Sequence, residues 1–263
     1  MNIIVCIKQV PGTSNVKVDP VTGVLIRDGV QSKMNPYDLY ALETGLQLKE
    51  KSNGKVTVIS MGPPAALAVL KEAIYMGADE GILISDRKFG GADVLATAYT
   101  ISQAINTIDD VDLILTGKQT TDGDTGQVGP ETAEFLNLPH FGYVTNVEIK
   151  NDKLQFISNL ETKVMKANIT LPCLLCIEGE INTPRLPSYK RKVKFGSCEN
   201  QIKIMSFEDM KDQNENNYGL KGSATQVEKI FQPKKTTDRL VLQGTKEQMA
   251  KDLLNILRER KFI

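Results

Sequence analysis

Residues 117–131, GKQTTDGDTGQVGPE, follow directly on the apolar run Val111–Thr116. A strand feeding a glycine-rich loop that opens into a helix leaves free backbone N–H groups at the strand's carboxyl end, where phosphate and similar anions are held. Gly123, Gly126 and Gly129 recur at every third residue, so the backbone can turn tightly and approach a ligand. The spacing is G-x-x-G-x-x-G, neither the G-x-G-x-x-G dinucleotide fingerprint nor a Walker A loop. A merely tight strand–helix connection is the plain alternative. A second candidate is Asn35-Pro36-Tyr37-Asp38. Asn is a strong N-cap, Pro suits the first helical position, and an acid at the third can bond back to the cap. A well-capped helix accounts for these residues fully; the functional alternative is that the cap faces a ligand cleft.

The other residues of reactive type point away from chemistry. Cys173 and Cys176 lie within the apolar run ITLPCLLCIEG, where residues three apart on a strand face opposite ways. With Cys6 and Cys198 they read as buried small hydrophobes. The single histidine, His140, follows Pro139 and reads as a residue of a helix-exit loop, and one histidine makes a thin zinc ligand set. Neither a metal site nor a catalytic residue is expected. Lys plus Arg and Asp plus Glu each number 32 in 263 residues, so a general affinity for nucleic acid or anionic membrane is not indicated. No stretch approaches membrane-spanning length, and the start MNIIVCIKQV runs straight into a strand pattern without a signal peptide. A cytoplasmic protein is expected.

The elements that must position these residues alternate β and α. Strands are expected at Asn2–Lys8, Lys55–Met61, Glu80–Ser85 and Val111–Thr116. Helical faces are carried by Leu39, Leu42 and Leu46; by Leu67, Leu70 and Ile74; and by Val94, Ala98, Ile101 and Ile105. This pattern predicts an α/β fold, a parallel sheet flanked by helices, with binding beyond the strands' carboxyl ends. Residues 16–26 read as a small hairpin turning at Pro20 and Gly23. From about Tyr143 three β-rich runs follow, the first two joined by a turn at Asn151 and Asp152. A loop with two prolines and a basic cluster comes next, INTPRLPSYKRK. Residues 211–224 are polar and read as a mobile connection. The last helix is expected at about Thr245–Arg258, with Met249, Leu253 and Leu257 on one face.

Asn-Pro-Tyr-Asp-x-x-Ala-x-Glu at Asn35–Glu43, the Gly117-Lys118-Gln119 loop and the proline–basic segment at 184–192 occur in that order. Together they resemble the β subunit of an electron-transfer flavoprotein over essentially the whole chain. The resemblance implies an adenine-nucleotide α-hydrolase-like, Rossmann-type fold with a β-rich addition and a C-terminal arm. It implies a nucleotide-binding domain over 1–224 and an arm over 225–263 that packs on an α subunit carrying FAD. Carried over, the nucleotide site comprises Cys6, Asn35, Pro36, Tyr37, Asp38, Met61, Gly117, Lys118, Gln119, Thr120, Thr121, Asp122, Gly123, Asp124, Thr125, Gly126, Gln127 and Val128. Phosphates are expected on the amides around Thr125–Val128. Asp122 and Asp124 cannot face phosphate directly without a metal or a proton, so they are expected to cap the loop or bond sugar hydroxyls. Partner docking falls to Leu186, inserted into a flavin-dependent dehydrogenase, with Pro184, Arg185, Pro187, Lys190, Arg191 and Lys192 around it.

The family has two branches. One holds AMP in β and carries electrons on a single FAD from acyl-CoA-type dehydrogenases. The other, from anaerobic prokaryotes, holds a second FAD in β, takes hydride from NADH and bifurcates the electrons. One electron goes to ferredoxin or flavodoxin, the other through the α-subunit FAD to a partner dehydrogenase. The loop DGDTGQVGPE, the compact TPRLPSYKRK and the run GLKGSATQVEKIFQP at 219–233 resemble the bifurcating branch. An ATP-hydrolysing enzyme of the same fold calls for a Ser-Gly-Gly-x-Asp-Ser loop after the first strand, where this chain has Lys8-Gln9-Val10-Pro11-Gly12. A ligand-sensing module leaves the docking loop and the arm without a purpose.

Overall fold

The computed structural model describes residues 1–12, 17–18, 25–26, 32–150, 153–228 and 239–263. The chain divides into two compact units, Met1–Glu228 and Lys229–Ile263. The first is built on a nine-stranded sheet. Its strands are β1 (Asn2–Cys6), β2 (Lys55–Met61), β3 (Glu80–Ile84), β4 (Leu113–Gly117), β5 (His140–Lys150), β6 (Lys153–Leu160), β7 (Lys163–Ile169), β8 (Cys173–Ile177) and β9 (Ile202–Met205). Spatial order is β7-β6-β5-β8-β4-β1-β2-β3-β9. Pairing is parallel from β5 through β9, and antiparallel between β5, β6 and β7. The β-rich addition therefore extends the main sheet at one edge.

Near-continuous apolar strands need cover on both faces, and both are covered. On one face Ile3, Val5, Val58, Leu113 and Leu175 pack against Leu42 and Leu46 of α1 (Pro36–Ser52) and Leu70 and Ile74 of α2 (Leu67–Met76). On the other, Ile4, Ile59, Ile114 and Leu174 meet Ile101 and Ile105 of α3 (Val94–Ile105) and Ala133 of α4 (Val128–Phe135). The CxxC cysteines divide as strand geometry requires, Cys173 into the first cluster and Cys176 into the second. All four cysteines are free.

Several boundaries differ from expectation. The first strand ends at Cys6 because the Lys8 amide donates to the Asp38 carboxylate, 2.7 Å away, and leaves the ladder. His140 is the first residue of β5, not a loop residue; its backbone neighbour Pro139 accepts from Leu174 of β8. Residues 211–224 are mostly exposed but are anchored to the sheet unit at the buried Tyr218 and Gly219. Tyr218 is buried against Phe89, Tyr99 and Phe207, and its hydroxyl donates to the Asp212 carbonyl. One aromatic anchor outweighs the polar composition around it. In the expected hairpin Lys17–Val18 pairs with Leu25–Ile26, while its turn residues Pro20 and Gly23 lie outside the described residues. So do Asn151 and Asp152, although Lys150 and Lys153 flanking them are paired. In the second unit α6 spans Lys246–Glu259, capped by Thr245. The fold is the expected α/β, Rossmann-like sheet flanked by helices.

Candidate functional site

The carboxyl ends of β4, β1, β2 and β3 open into one cavity of about 1070 Å³. Cys6 and Lys8 line it from the end of β1, Met61 to Pro64 from β2, Ser85 to Arg87 and Phe89 to Val94 from β3, and Thr116 to Thr120, Gly123, Thr125, Gly126, Val128 and Gly129 from β4. Parallel strands put all these ends on one edge, which is why residues more than a hundred positions apart meet there.

The glycine loop is held from behind. Asn35, fully buried, donates through Nδ2 to the Gln119 carbonyl and to Asp38 Oδ1, both at 2.9 Å. Its Oδ1 accepts from the Thr121 amide at 3.2 Å. Asn35 does stand at the N-cap of α1 with Pro36 next, but its side chain makes no cap hydrogen bond. The capped-helix reading is thus incomplete: these polar atoms lash the helix start to the loop. Asp38 completes the lashing by binding the Lys8 amide. Burial pushes its carboxyl up to about 7, while hydrogen bonds from Asn35, Lys8 and Gly117 pull the other way. A side chain at Gly117 has no room, since a Cβ there comes within 2.8 Å of Tyr37.

The three spaced glycines do different work. Gly126 turns the loop at φ +68°, a conformation that favours glycine. Gly129 seats α4 on the sheet, where a Cβ would lie 2.7 Å from Cys176 Sγ and Thr116 Oγ1. Gly123 meets nothing closer than Thr120 Oγ1 at 3.5 Å and carries no such demand. Asp122 pairs with Lys8 at 2.9 Å, and Asp124 accepts from Gln119 Nε2 at 3.0 Å. Both carboxylates are spent on holding the loop.

Of the residues expected at the nucleotide, Cys6, Asp38, Met61, Gly117, Lys118, Gln119, Thr120, Gly123, Thr125, Gly126 and Val128 line the cavity. Asn35, Pro36, Tyr37, Thr121, Asp122, Asp124 and Gln127 do not. Asn35, Asp122 and Asp124 act through the loop they brace, and the Tyr37 ring lies under the Lys118 ammonium at 5.2 Å. Lys118 in turn pairs with Glu178 at 2.7 Å, which holds its ammonium charged. Burial pushes the Cys6 thiol up, so it stays neutral. Sequence reasoning missed the walls at Gly62–Pro64 and Ser85–Val94. The signal was there: both follow parallel strands, and the second carries Gly90-Gly91 just before the N-cap Asp93.

The proline–basic segment is built differently from expectation. Arg185 holds the buried Glu43 in a fork, with Nε at 2.8 Å and Nη2 at 3.0 Å, and reaches Glu50 at 2.6 Å. Tyr189–Phe195 forms a helix, α5, whose Arg191 donates to the carbonyls of Ile74 and Ala78 at the end of α2. The basic cluster is therefore helical, and both arginines are internal struts. Pro184 is half-buried. Leu186, Pro187, Lys190 and Lys192 are exposed, with Leu186 retaining 86% of its surface.

Fold and cavity define an α/β protein of Rossmann type with its ligand site on the carboxyl edge of a parallel sheet. The model of the electron transfer flavoprotein domain matches residues 22–200. The β subunit of the electron transfer flavoprotein of Clostridium acetobutylicum is 43% identical over 263 residues, covering all of both chains. Subunit CarD of the caffeyl-CoA reductase–Etf complex of Acetobacterium woodii is 41% identical over the full length of both. Protein FixA of Azotobacter vinelandii is 40% identical over 96% of this chain and 92% of its own. The chain belongs to the electron transfer flavoprotein β-subunit family.

Proposed function

We propose that this chain holds FAD in the cavity and, paired with an α subunit that carries its own FAD, accepts hydride from NADH and bifurcates the electrons. One electron goes to ferredoxin or flavodoxin, the other through the α-subunit flavin to a flavin-dependent dehydrogenase docked at Leu186, in the cytoplasm. The observation that carries this reading is the size and division of the cavity. At about 1070 Å³ it lies at the top of the range of small-ligand sites, roughly 300–1,000 Å³, with room for a large nucleotide. The glycine loop supplies one side of the lining, and Ile59, Met61, Ile84 and Phe89 give an apolar part of the remainder, beside the polar segment Ser85–Arg87 and Asp93. That is the shape of a phosphate cradle joined to an apolar shelf, as a dinucleotide with a flat ring requires. FAD bound there supplies hydride acceptance and one-electron release. This chain's residues supply the rest: loop amides for phosphate, Asn35 and Asp38 to hold the loop, and an apolar floor that excludes water.

The test is the nucleotide content of the αβ heterodimer, released by heat and separated by chromatography. Two FAD and no AMP is the expected result. One FAD with one AMP overturns it and leaves AMP as a structural ligand here.

A further inference from the structure

The cavity wall beyond β3 has little side chain of its own to hold it. Gly90, Gly91, Ala92 and Asp93 line the cavity, with Phe89 before them and Val94 after. Their support comes from behind, from residues 218–225. The Leu220 amide donates to the Gly90 carbonyl at 3.1 Å. The Leu220 side chain lies over Gly91, where a Cβ would come within 3.3 Å of it. The Asp93 amide donates to Ser223 Oγ at 2.8 Å, and Ser223 Oγ donates to the Gly219 carbonyl, also at 2.8 Å. Asp93 Oδ2 accepts from the Thr225 amide at 2.8 Å and from the Thr225 hydroxyl at 3.0 Å. The other oxygen of Asp93 caps α3 by accepting from Ala96.

The two ends of this strap are held by different forces. Tyr218 at one end keeps 1% of its surface and packs on Phe89, Tyr99 and Phe207, with ring centroids 5.6, 5.4 and 5.3 Å away. Beside it Gly219 turns at φ +56° against the carbonyls of Lys88 and Gly90, where any side chain would collide. At the other end Ala224 and Thr225 are exposed, and the strap is held there by its hydrogen bonds to Asp93. Exposed hydrogen bonds exchange for water at small cost, whereas buried aromatic packing does not. A segment fixed in the core at one end and clasped from solvent at the other opens from the clasp. Opening takes the outer support from Gly90 and Gly91, while Ala96 keeps one oxygen of Asp93 in place.

We propose that residues 218–225 form a latch, hinged at Tyr218 and closed on Asp93 by Ser223 and Thr225, that keeps this wall shut on a bound nucleotide and sets the rate of its exchange. The latch rests on the reading of the cavity as a nucleotide site, and not on which nucleotide is bound. The test uses the αβ heterodimer with its resident nucleotides, as parent, Thr225→Val, the double variant Ser223→Ala with Thr225→Val, and Val227→Ala. Thr225→Val removes the hydroxyl and leaves the amide bond; Val227 is exposed two residues past the clasp and serves as the control. FAD and AMP are counted by chromatography, release is followed by repeated removal of free nucleotide, and hydrogen exchange is read at residues 88–93. The expected result is parental content in every variant. Release and exchange become about 3- to 10-fold faster in Thr225→Val, faster again in the double variant, and stay unchanged in Val227→Ala. Unchanged release in the double variant overturns the latch, even where exchange at 88–93 has accelerated. Equal acceleration in Val227→Ala overturns it too. So does a double variant that has lost its nucleotide and melts at a lower temperature, because the segment then serves the fold. A parent holding one FAD and one AMP removes the two-FAD reading and keeps the latch if AMP release accelerates. A parent holding two FAD whose release the double variant leaves unchanged removes the latch alone.

Discussion

Asn35 spends its amide on two acceptors and one donor from two segments, Asp38 of α1 and the Gln119–Thr121 loop. Truncation to alanine removes the partner of the Gln119 carbonyl, the Thr121 amide and the buried Asp38 carboxyl, and an unmet buried polar group costs about 1–3 kcal/mol. Asn35→Ala is expected to lower stability by about 1–3 kcal/mol and to release nucleotide, read by urea unfolding and by chromatography of the bound fraction. Asp38 carries the pH dependence. Its folded carboxyl is raised from 3.8 to about 7. Between those values the folded chain keeps a proton that the unfolded chain has released, so this group's contribution to stability falls as pH rises through the window. Asp38→Asn does not titrate. Urea unfolding at a series of pH values should show a shallower decline across that window in the variant; equal slopes would assign the decline to other groups.

At the scale of elements, the segment proposed for docking is a braced platform. Arg185 ties it to α1 through Glu43 and Glu50, and Arg191 ties α5 to the end of α2. The Glu43 side chain retains 5% of its surface and depends on Arg185, which holds its carboxyl below the usual range against burial. Arg185 is itself one-third exposed, so water screens part of the pairing. Arg185→Ala is expected to cost about 1–3 kcal/mol, because it leaves a buried carboxylate short of donors. Leu186→Ala should leave the melting temperature unchanged and weaken binding to a flavin-dependent dehydrogenase, measured by titration of the purified partner. A matched loss in both variants, stability and binding together, would place Leu186 in the core of the segment instead of on its docking face. Tyr189 and Val193, at i and i+4 of α5, are exposed beside it and widen that face.

At the scale of the molecule, the division after Glu228 separates a sheet with two buried cores from a unit whose helix α6 buries no residue. A helix of 14 residues gains little on its own in water. A chain ending at Glu228 is therefore expected to keep the full chain's cooperative urea transition for the sheet, followed by circular dichroism. A non-cooperative transition would show that the arm is required for the fold. Hydrophobic periodicity made β2, the helix faces and the parallel sheet legible, because strand and helix periods are local properties of the chain. The glycine loop was legible as a site for the same reason, since a strand, a turn and a helix start adjoin in sequence. Three things were decided only by tertiary packing. Asn35 and Asp38 read as helix caps until α1 was set against the loop; a polar atom's partner depends on what the fold brings within 3 Å. The arginines of the docking segment read as free charges until the buried Glu43 and the end of α2 came into reach. Arg87 gave no local signal at all, because whether it finds a partner among the described residues depends on the placement of every other charge around the cavity.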